Sequence, residues 1–315
     1  MSRALVTGAT GQDGIYLTRL LHSRGHEVHG LVRPGDPAPL DPALLTLHEG
    51  DLTDREGLER IVEDVRPSQI YNLAGLSSVA LSWEQPVLAA DVNGSSAVFL
   101  METAWKLQER TGDPVAFVQA ASAEIFGNPA ESPQNELTPI RPVNPYGVSK
   151  ATAHLAAGVY RARGLHATSL ILYNHESPLR PTSFVTRKIT QGAAAIARGD
   201  ASELRLGNLD AYRDWGWAPD YVEAMLLAGT RPEADDYVIG TGEAHSVRDF
   251  VEAAFTAAGL PDWEGYVVQD PAFYRPVDPV LLLADATRAR RQLGWRPTVT
   301  FSDLVSRMVE QDLGS

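Results

Sequence analysis

The first half of the chain alternates short β-branched runs with longer segments whose apolar residues recur at helical spacing. The short runs predict strands at 4–7, 27–32, 44–48, 69–73, 115–120 and 167–173, and the longer segments predict helices at 13–24, 55–65, 87–107 and 146–162. Strands that alternate with helices of this length are joined by right-handed crossovers. The pattern therefore predicts an α/β fold with a doubly wound parallel sheet covered by helices on both faces.

The alternation stops near residue 174. Short strands are predicted at 204–206 and 237–239, and helices at 184–198, 247–258, 286–293 and 301–309. We interpret 174–315 as a smaller C-terminal α/β part, some of whose segments return to the larger part formed by 1–173. Residues 33–42 hold four prolines and a glycine, which predicts a loop.

Composition narrows the class of protein. The 315 residues carry 27 basic and 40 acidic side chains, a net charge of −13, which argues against binding to nucleic acid or to an anionic membrane. No apolar run approaches the ~18 residues of a membrane-spanning helix. The chain has no cysteine, which excludes disulfides and thiolate metal sites and is typical of a cytoplasmic protein. No metal site is expected.

Three glycines follow the first predicted strand and lead into a helix. Gly8 permits a tight turn, Gly11 lets backbone N–H groups approach a pyrophosphate, and Gly14 allows close packing of helix on strand. In this context the spacing indicates a Rossmann-type dinucleotide site rather than a surface turn. The turn also contains three further candidate cofactor-binding residues, namely Thr10, Gln12 and Asp13.

The end of the second predicted strand distinguishes NAD from NADP. An acidic residue there would bind the ribose 2′-hydroxyl, whereas a basic residue favours a 2′-phosphate. Arg33 occupies this place and no acid precedes Asp36, which predicts NADP, with NAD as the alternative. Asp51 and Leu52, after the third strand, are predicted to border the adenine; the alternative for Asp51 is a helix cap.

Candidate catalytic side chains follow the fifth predicted strand. Tyr146 and Lys150 stand four residues apart on one helical face. An ammonium beside a phenol, with a nicotinamide cation close by, favours the phenolate that accepts a hydroxyl proton. Ser122 could hydrogen-bond the reacting oxygen, and Glu124 is an acid or base beyond what hydride transfer needs, or else a helix-capping residue.

The glycine turn, Ser122 and the Tyr146–Lys150 pair together resemble the extended short-chain dehydrogenase/reductase superfamily. Narrower motifs resemble the GDP-mannose 4,6-dehydratase family almost from end to end; they lie at 10–14, 71–74, 174–178, 184–189, 207–216, 220–225 and 242–248. The resemblance implies a reaction in which Tyr146 takes the C4 hydroxyl proton while hydride passes to NADP⁺. Glu124 then removes the C5 proton, water leaves from C6, and hydride returns to C6.

The resemblance also assigns binding residues. Leu73 and Ala74 match cofactor contacts. The residues that match or border contacts to a GDP-sugar are Ser77, Glu124, Asn174, Lys188, Arg213 and Arg275. For Arg213 the alternative is a salt bridge with Asp210 or Asp214.

The chain departs from the family after Arg33, where Pro34 replaces a second basic residue and the loop is short. That loop helps to form the family's tetramer, so we expect a homodimer, with a tetramer as the alternative. Competing functions are a GDP-4-dehydro-6-deoxy-mannose reductase, a 4-epimerase and a non-enzymatic NADP-sensing regulator. Glu124 favours the dehydratase, because neither the reductase nor the epimerase reaction needs a base at C5.

Overall fold

The computed structural model describes residues 2–35, 40–273 and 281–314. Its strands are β1 (Arg3–Thr7), β2 (Glu27–Val32), β3 (Thr46–Glu49), β4 (Gln69–Asn72), β5 (Ala116–Ser122), β6 (His166–Leu172), β7 (Asn174–Glu176), β8 (Leu204–Leu206), β9 (Tyr212–Arg213), β10 (Trp215–Trp217), β11 (Asp236–Ile239), β12 (His245–Ser246), β13 (Val267–Gln269) and β14 (Leu281–Leu282). Its α-helices are α1 (Gln12–Ser23), α2 (Arg55–Val65), α3 (Val79–Glu84), α4 (Pro86–Ala89), α5 (Ser96–Thr111), α6 (Pro145–Ala162), α7 (Val185–Arg198), α8 (Ala218–Thr230), α9 (Val247–Ala257), α10 (Thr287–Gln292) and α11 (Phe301–Leu313).

Seven strands form the central sheet in the order β11-β6-β5-β4-β1-β2-β3, and every neighbouring pair is parallel. The chain winds outward from β1 through β2 to β3 and then crosses back to β4 on the other side. Ligands of open parallel sheets bind at the carboxyl ends of the strands beside such a reversal. The predicted Rossmann-type α/β fold is confirmed, and the order of its strands places a binding crevice between β1 and β4.

Helices cover both faces of this sheet. On one face, α1 and α8 bury Leu17, Leu21 and Met225 against the strands. On the other face, α2, α5 and α6 contribute Leu58, Leu100 and Ala153. The smaller part has its own core, in which α7, α9 and α11 bring together residues such as Ile189, Phe250 and Leu304.

Most predicted elements are present, many of them with shifted ends, but two differ from the prediction and one long helix was not predicted. The helix predicted at 87–107 is interrupted by a π-helical turn, Ala90–Ser95, between α4 and α5. The strand predicted at 237–239 is β11, which pairs with β6 and extends the main sheet. Helix α8 was not predicted because buried residues surround most of its circumference, which leaves no polar stripe to mark its period.

Of the predicted loop 33–42, residues 36–39 lie outside the described part of the chain. Within the described ranges, no helix is long and apolar enough to span a membrane. In the same ranges no group of three or more His, Cys, Asp or Glu side chains is arranged to hold a metal ion.

Candidate active site

Two adjoining cavities open at the carboxyl ends of the central strands, and each has a volume of about 730 Å³. The first is lined by the glycine turn and by residues after β2, β3 and β4, namely Gly8, Thr10, Gly11, Gln12, Asp13, Gly14, Arg33, Asp51, Leu52, Leu73 and Ala74 among the predicted set. The second is lined by Ser77, Ser122, Glu124, Tyr146, Lys150, Asn174, Lys188 and Arg213. Arg275 lies outside the described residues.

The glycine turn is shaped for close approach. Gly8 has a φ of +70°, and a Cβ there would lie 2.9 Å from the backbone of Ala74. A Cβ on Gly14 would lie 2.2 Å from the carbonyl oxygen of Gly8. Gly11 is the N-cap residue of α1 and has no side chain to cap the helix, so the first backbone N–H groups at the positive end of the helix dipole have no side-chain cap from this position. This geometry fits a dinucleotide pyrophosphate.

Substitution of Gly14 by Ala is expected to destabilise the fold by about 1–3 kcal/mol, because the neighbours that must move are backbone atoms. A matched control is Gly158→Ala in the interior of α6, where a Cβ would meet nothing within 4 Å. That variant should gain about 0.5–1 kcal/mol. Urea unfolding measures the free energy of unfolding of both variants. Equal values would show that the glycine turn can accommodate a Cβ at position 14.

The side chains of Gln12 and Asp13 reach towards the segment that includes β7. The Asp13 carboxylate lies 2.8 Å from Nε2 of His175, while the Gln12 amide donates to the His175 carbonyl oxygen at 3.1 Å and accepts from Ser177 Oγ at 2.8 Å. Burial opposes the charge of Asp13, but His175 holds the pKa of that carboxyl below its usual value. Burial likewise opposes the charge of His175, but Asp13 raises the pKa of the imidazole. An ion pair therefore joins the glycine turn to β7.

At the opposite end of the first cavity, the Asp51 carboxylate accepts hydrogen bonds from the backbone N–H and the hydroxyl of Thr53, both at 2.7 Å. These bonds lower the pKa of Asp51, and the nearby charge of Arg33 acts in the same direction. The N-cap of α2 is Asp54, which accepts from Gly57 at 3.0 Å. The alternative that Asp51 caps this helix is therefore wrong.

Tyr146 lies half-buried in the wall of the second cavity, near the first turn of α6. Desolvation raises the pKa of its phenol to about 12, and the charge of Glu124 adds to the increase, whereas a hydrogen bond with Ser122 opposes it. The groups of the chain by themselves therefore favour the protonated phenol. The expected phenolate depends on a further positive charge beside the ring, such as that of an oxidised nicotinamide.

Lys150 lies one helical turn further along α6 and is almost completely buried. Its Nζ atom lies 5.9 Å from the centroid of the Tyr146 ring and donates to the carbonyl oxygen of Ala120 at 2.9 Å. Burial lowers the pKa of this ammonium to about 8, against the charge of Asp13. The ammonium is therefore held close to the phenol at a considerable cost in solvation.

Glu124 follows β5 in a short 3₁₀ turn, Ala123–Ile125. Its backbone N–H donates to Ser122 Oγ at 3.3 Å, and its Oε2 atom accepts from Nδ2 of Asn144 at 2.8 Å. The side chain that caps α6 is Asn144, and Ser122 caps the 3₁₀ turn. Glu124 is consequently a half-buried carboxylate on the cavity wall, and the alternative of a helix-capping role is wrong.

The candidate substrate residues come from the smaller part. Lys188 on α7 places Nζ 3.6 Å from the centroid of the Phe273 ring, and burial lowers the pKa of its ammonium against the charge of Asp270. Arg213 on β9 is buried, and its Nη1 donates to the carbonyl oxygen of Tyr212 at 2.6 Å. Both lie on the wall of the second cavity, which Lys150 and Arg180 also line, so four cationic side chains face it among the described residues.

Asp210 and Asp214, the two alternative salt-bridge partners of Arg213, form hydrogen bonds or ion pairs with other groups. Asp210 pairs with Arg248 at 3.0 Å. Asp214 accepts from both the backbone N–H and the hydroxyl of Thr241, and from two further backbone N–H groups.

Sequence reasoning missed Arg180, which lies on the wall of both cavities. Its Nε atom is 3.2 Å from Glu176, its guanidinium lies 3.7 Å from the Phe184 ring centroid, and its charge acts on Asp13 and Tyr146. The available signal was a basic residue two positions after the 174–178 motif. Asn144 was missed as well, although an Asn before a proline at the start of a helix is a known N-cap pattern.

Solved structures show the class of protein that this fold defines. The UDP-glucose 4-epimerase of Thermus thermophilus, in a complex with NAD, superposes with a TM-score of 0.87 at 29% identity and 99% coverage of both chains. RMD from Pseudomonas aeruginosa, in a complex with NADPH, shares the fold with a TM-score of 0.81 at 24% identity and 100% coverage of both chains. The chain thus shares the fold of a nucleotide-sugar epimerase that binds NAD and of a protein that binds NADPH.

Sequence comparison is more specific. The family profile for GDP-mannose 4,6 dehydratase matches residues 5–308. GDP-mannose 4,6 dehydratase 1 of Arabidopsis thaliana is 44% identical over 324 residues, which cover 98% of this chain and 89% of the relative. The Homo sapiens GDP-mannose 4,6 dehydratase is 41% identical over 342 residues, covering 98% and 91%. The chain belongs to the GDP-mannose 4,6-dehydratase family.

Proposed function

We propose that this chain is a lyase that converts GDP-mannose to GDP-4-dehydro-6-deoxy-mannose and water. The observation that carries the proposal is the position of the Glu124 carboxylate in the same cavity as Ser122, Tyr146 and Lys150. Hydride exchange at C4 needs no carboxylate, but elimination across C5 and C6 needs a base. In a reductase or a 4-epimerase, the Glu124 carboxylate would have no role in the reaction.

The side chains divide the proton transfers among them. A bound nicotinamide dinucleotide supplies the hydride acceptor and donor. Tyr146 Oη takes the proton of the C4 hydroxyl, and the Ser122 hydroxyl holds the same oxygen. Once C4 is a ketone, the C5 proton is acidic, and the Glu124 carboxylate removes it. The C6–O bond breaks, and the departing hydroxyl leaves as water with the proton that Glu124 took from C5. C6 would then receive the hydride back and C5 a proton from solvent, which completes the 6-deoxy sugar and restores the oxidised dinucleotide.

The cationic wall of the second cavity supports the assignment of a GDP-sugar. A protein of charge −13 requires local cations to bind a diphosphate, and guanidinium groups match phosphate oxygens in geometry. We assign Arg213 and Arg275 to the phosphates of the diphosphate. Asn174 and Lys188 are assigned to contacts with the diphosphate and the sugar, and Ser77 to the sugar.

We assign NADP rather than NAD as the cofactor on the position of Arg33 in the wall of the first cavity, after β2. Arg33→Ala should weaken NADP binding by about 1.5–3 kcal/mol, roughly tenfold or more, with a much smaller effect on NAD. Calorimetry with each dinucleotide measures this difference. The exposed Arg60 on α2 is the matched control, since Arg60→Ala should change neither affinity. Equal binding of NAD and NADP by the wild type would contradict the assignment.

A homodimer is supported by apolar side chains on the outer surface of α6. Val148, Leu155 and Val159 are 52%, 57% and 61% exposed, and their spacing of seven and four residues places them on one face of the helix. Exposed apolar stripes of this kind mark interfaces, and a two-fold dimer is the commonest way to cover one.

Incubation of the purified protein with GDP-mannose and a catalytic amount of NADP tests the proposed reaction. A dehydratase forms a 4-keto-6-deoxy product with no net consumption of cofactor. A reductase or an epimerase does not form the 4-keto-6-deoxy product from this substrate. A regulator does not convert the substrate at all. Loss of the product when GDP-mannose is replaced by other nucleotide sugars would establish the substrate.

A further inference from the structure

The buried side chain of Asn144 contacts two parts of the active site at once. Its Oδ1 atom accepts from the backbone N–H of Gly147 at 2.7 Å, and its Nδ2 atom donates to Glu124 Oε2 at 2.8 Å. The orientation of the amide is fixed by chemistry, because a backbone N–H only donates and a carboxylate only accepts. Asn144 is thus the N-cap of the helix that carries Tyr146 and also a hydrogen-bond donor to Glu124.

The backbone reinforces this connection. A Cβ on Gly147 would lie 2.6 Å from the carbonyl oxygen of Glu124, so the first turn of α6 rests directly against the 3₁₀ turn. The N–H of Arg141 donates to the carbonyl oxygen of Ile125 at 2.9 Å. The N–H of Tyr146 donates to Ser82 Oγ at 3.1 Å. The backbone segments that carry Glu124 and Tyr146 are therefore packed tightly against each other. The hydrogen bond from Asn144 additionally fixes the position of the Glu124 carboxylate.

We propose that Asn144 is a positioning residue for removal of the C5 proton. By holding Oε2 of Glu124, the amide directs the other oxygen, Oε1, to the substrate; Oε1 has no hydrogen-bond partner among the described residues. An amide does not titrate, so it orients the carboxylate without competing for the proton. The inference rests on the proposed function, because it needs Glu124 to act as the base.

Asn144→Ser is the informative variant, with Asn144→Asp as its partner. Ser and Asp are both good N-caps, so each keeps the bond to Gly147, but neither offers an amide donor to Glu124. Misplacement of a catalytic group by about 1 Å can cost ~10²-fold. The kcat of Asn144→Ser should therefore fall roughly 10–10²-fold with an unchanged KM, and the kcat of Asn144→Asp should fall further because two carboxylates face each other.

The readouts separate positioning from capping. Both variants should unfold at temperatures close to that of the wild type and should still oxidise C4, so that reduced cofactor accumulates on the enzyme while solvent deuterium enters C5 more slowly. A residue that only caps α6 predicts the opposite pattern, with Asn144→Ser and Asn144→Asp at wild-type kcat and only Asn144→Ala impaired and less stable; that result would overturn the inference. If Glu124→Gln itself leaves elimination intact, the proposed function fails instead, which is a distinct result.

Discussion

Glu124→Gln should slow formation of the 4-keto-6-deoxy product by roughly 10²–10⁴-fold, the usual cost of losing a general base. Gln has the shape of Glu and can still accept the hydrogen bond of Asn144 through its amide oxygen. The variant should therefore fold, bind GDP-mannose and oxidise C4, but it cannot take the C5 proton. Reduced cofactor should accumulate on the enzyme, visible in the reduced nicotinamide absorbance band, and solvent deuterium should not enter C5.

Tyr146→Phe is the control for Glu124→Gln. It removes the group that takes the C4 hydroxyl proton, so no reduced cofactor should appear at all. Together the two variants separate the oxidation that forms the C4 ketone from the elimination that follows it. Turnover by Glu124→Gln at close to the wild-type rate would make Glu124 a structural residue and would favour the reductase or the epimerase.

The sequence predicted the larger part of the fold because parallel strands buried on both faces read as short apolar runs. β2 was predicted with the ends that the structure shows, and α2 likewise. α8 was missed since it has no polar face, and β11 was placed in the smaller part because its neighbour β6 is more than sixty residues earlier. Periodicity reports the burial of a segment and carries no information about its distant partner.

The candidate site was predictable where a local motif dictates the chemistry. The glycine turn and the Tyr146–Lys150 pair could be identified from the local sequence alone. The role of Gln12 and Asp13 in joining the turn to His175 was not predictable, since 162 residues separate Asp13 from its partner. Asn144 carried a recognisable cap signal, but its donation to Glu124 depends on how the turn after β5 packs on α6.

Lys150→Met should inactivate the protein and also stabilise it at pH 7. Activity should fall roughly 10²–10⁴-fold, because the ammonium near Tyr146 is lost. Stability should rise since the fold lowers the pKa of this buried lysine from 10.5 to about 8, which corresponds to a cost on the order of 3 kcal/mol for burying the charge. Met fills similar space, and the Ala120 carbonyl oxygen keeps its bond from the Gln119 amide at 2.9 Å.

The sign of the pH dependence follows from the direction of the pKa shift. Below pH 8 the native and the unfolded wild type both carry the proton, and the cost is present in full. Between pH 8 and 10.5 the native state releases the proton while the unfolded state retains it, so wild-type stability rises with pH relative to the variant. Urea unfolding at pH 7 and pH 10 should show a stability gap that narrows at the higher pH. Lys106→Met, an exposed change on α5, should shift stability by no more than about 0.5 kcal/mol at either pH. A Lys150→Met protein less stable than the wild type at pH 7 would show that the hydrogen bond to Ala120 outweighs the desolvation of the ammonium.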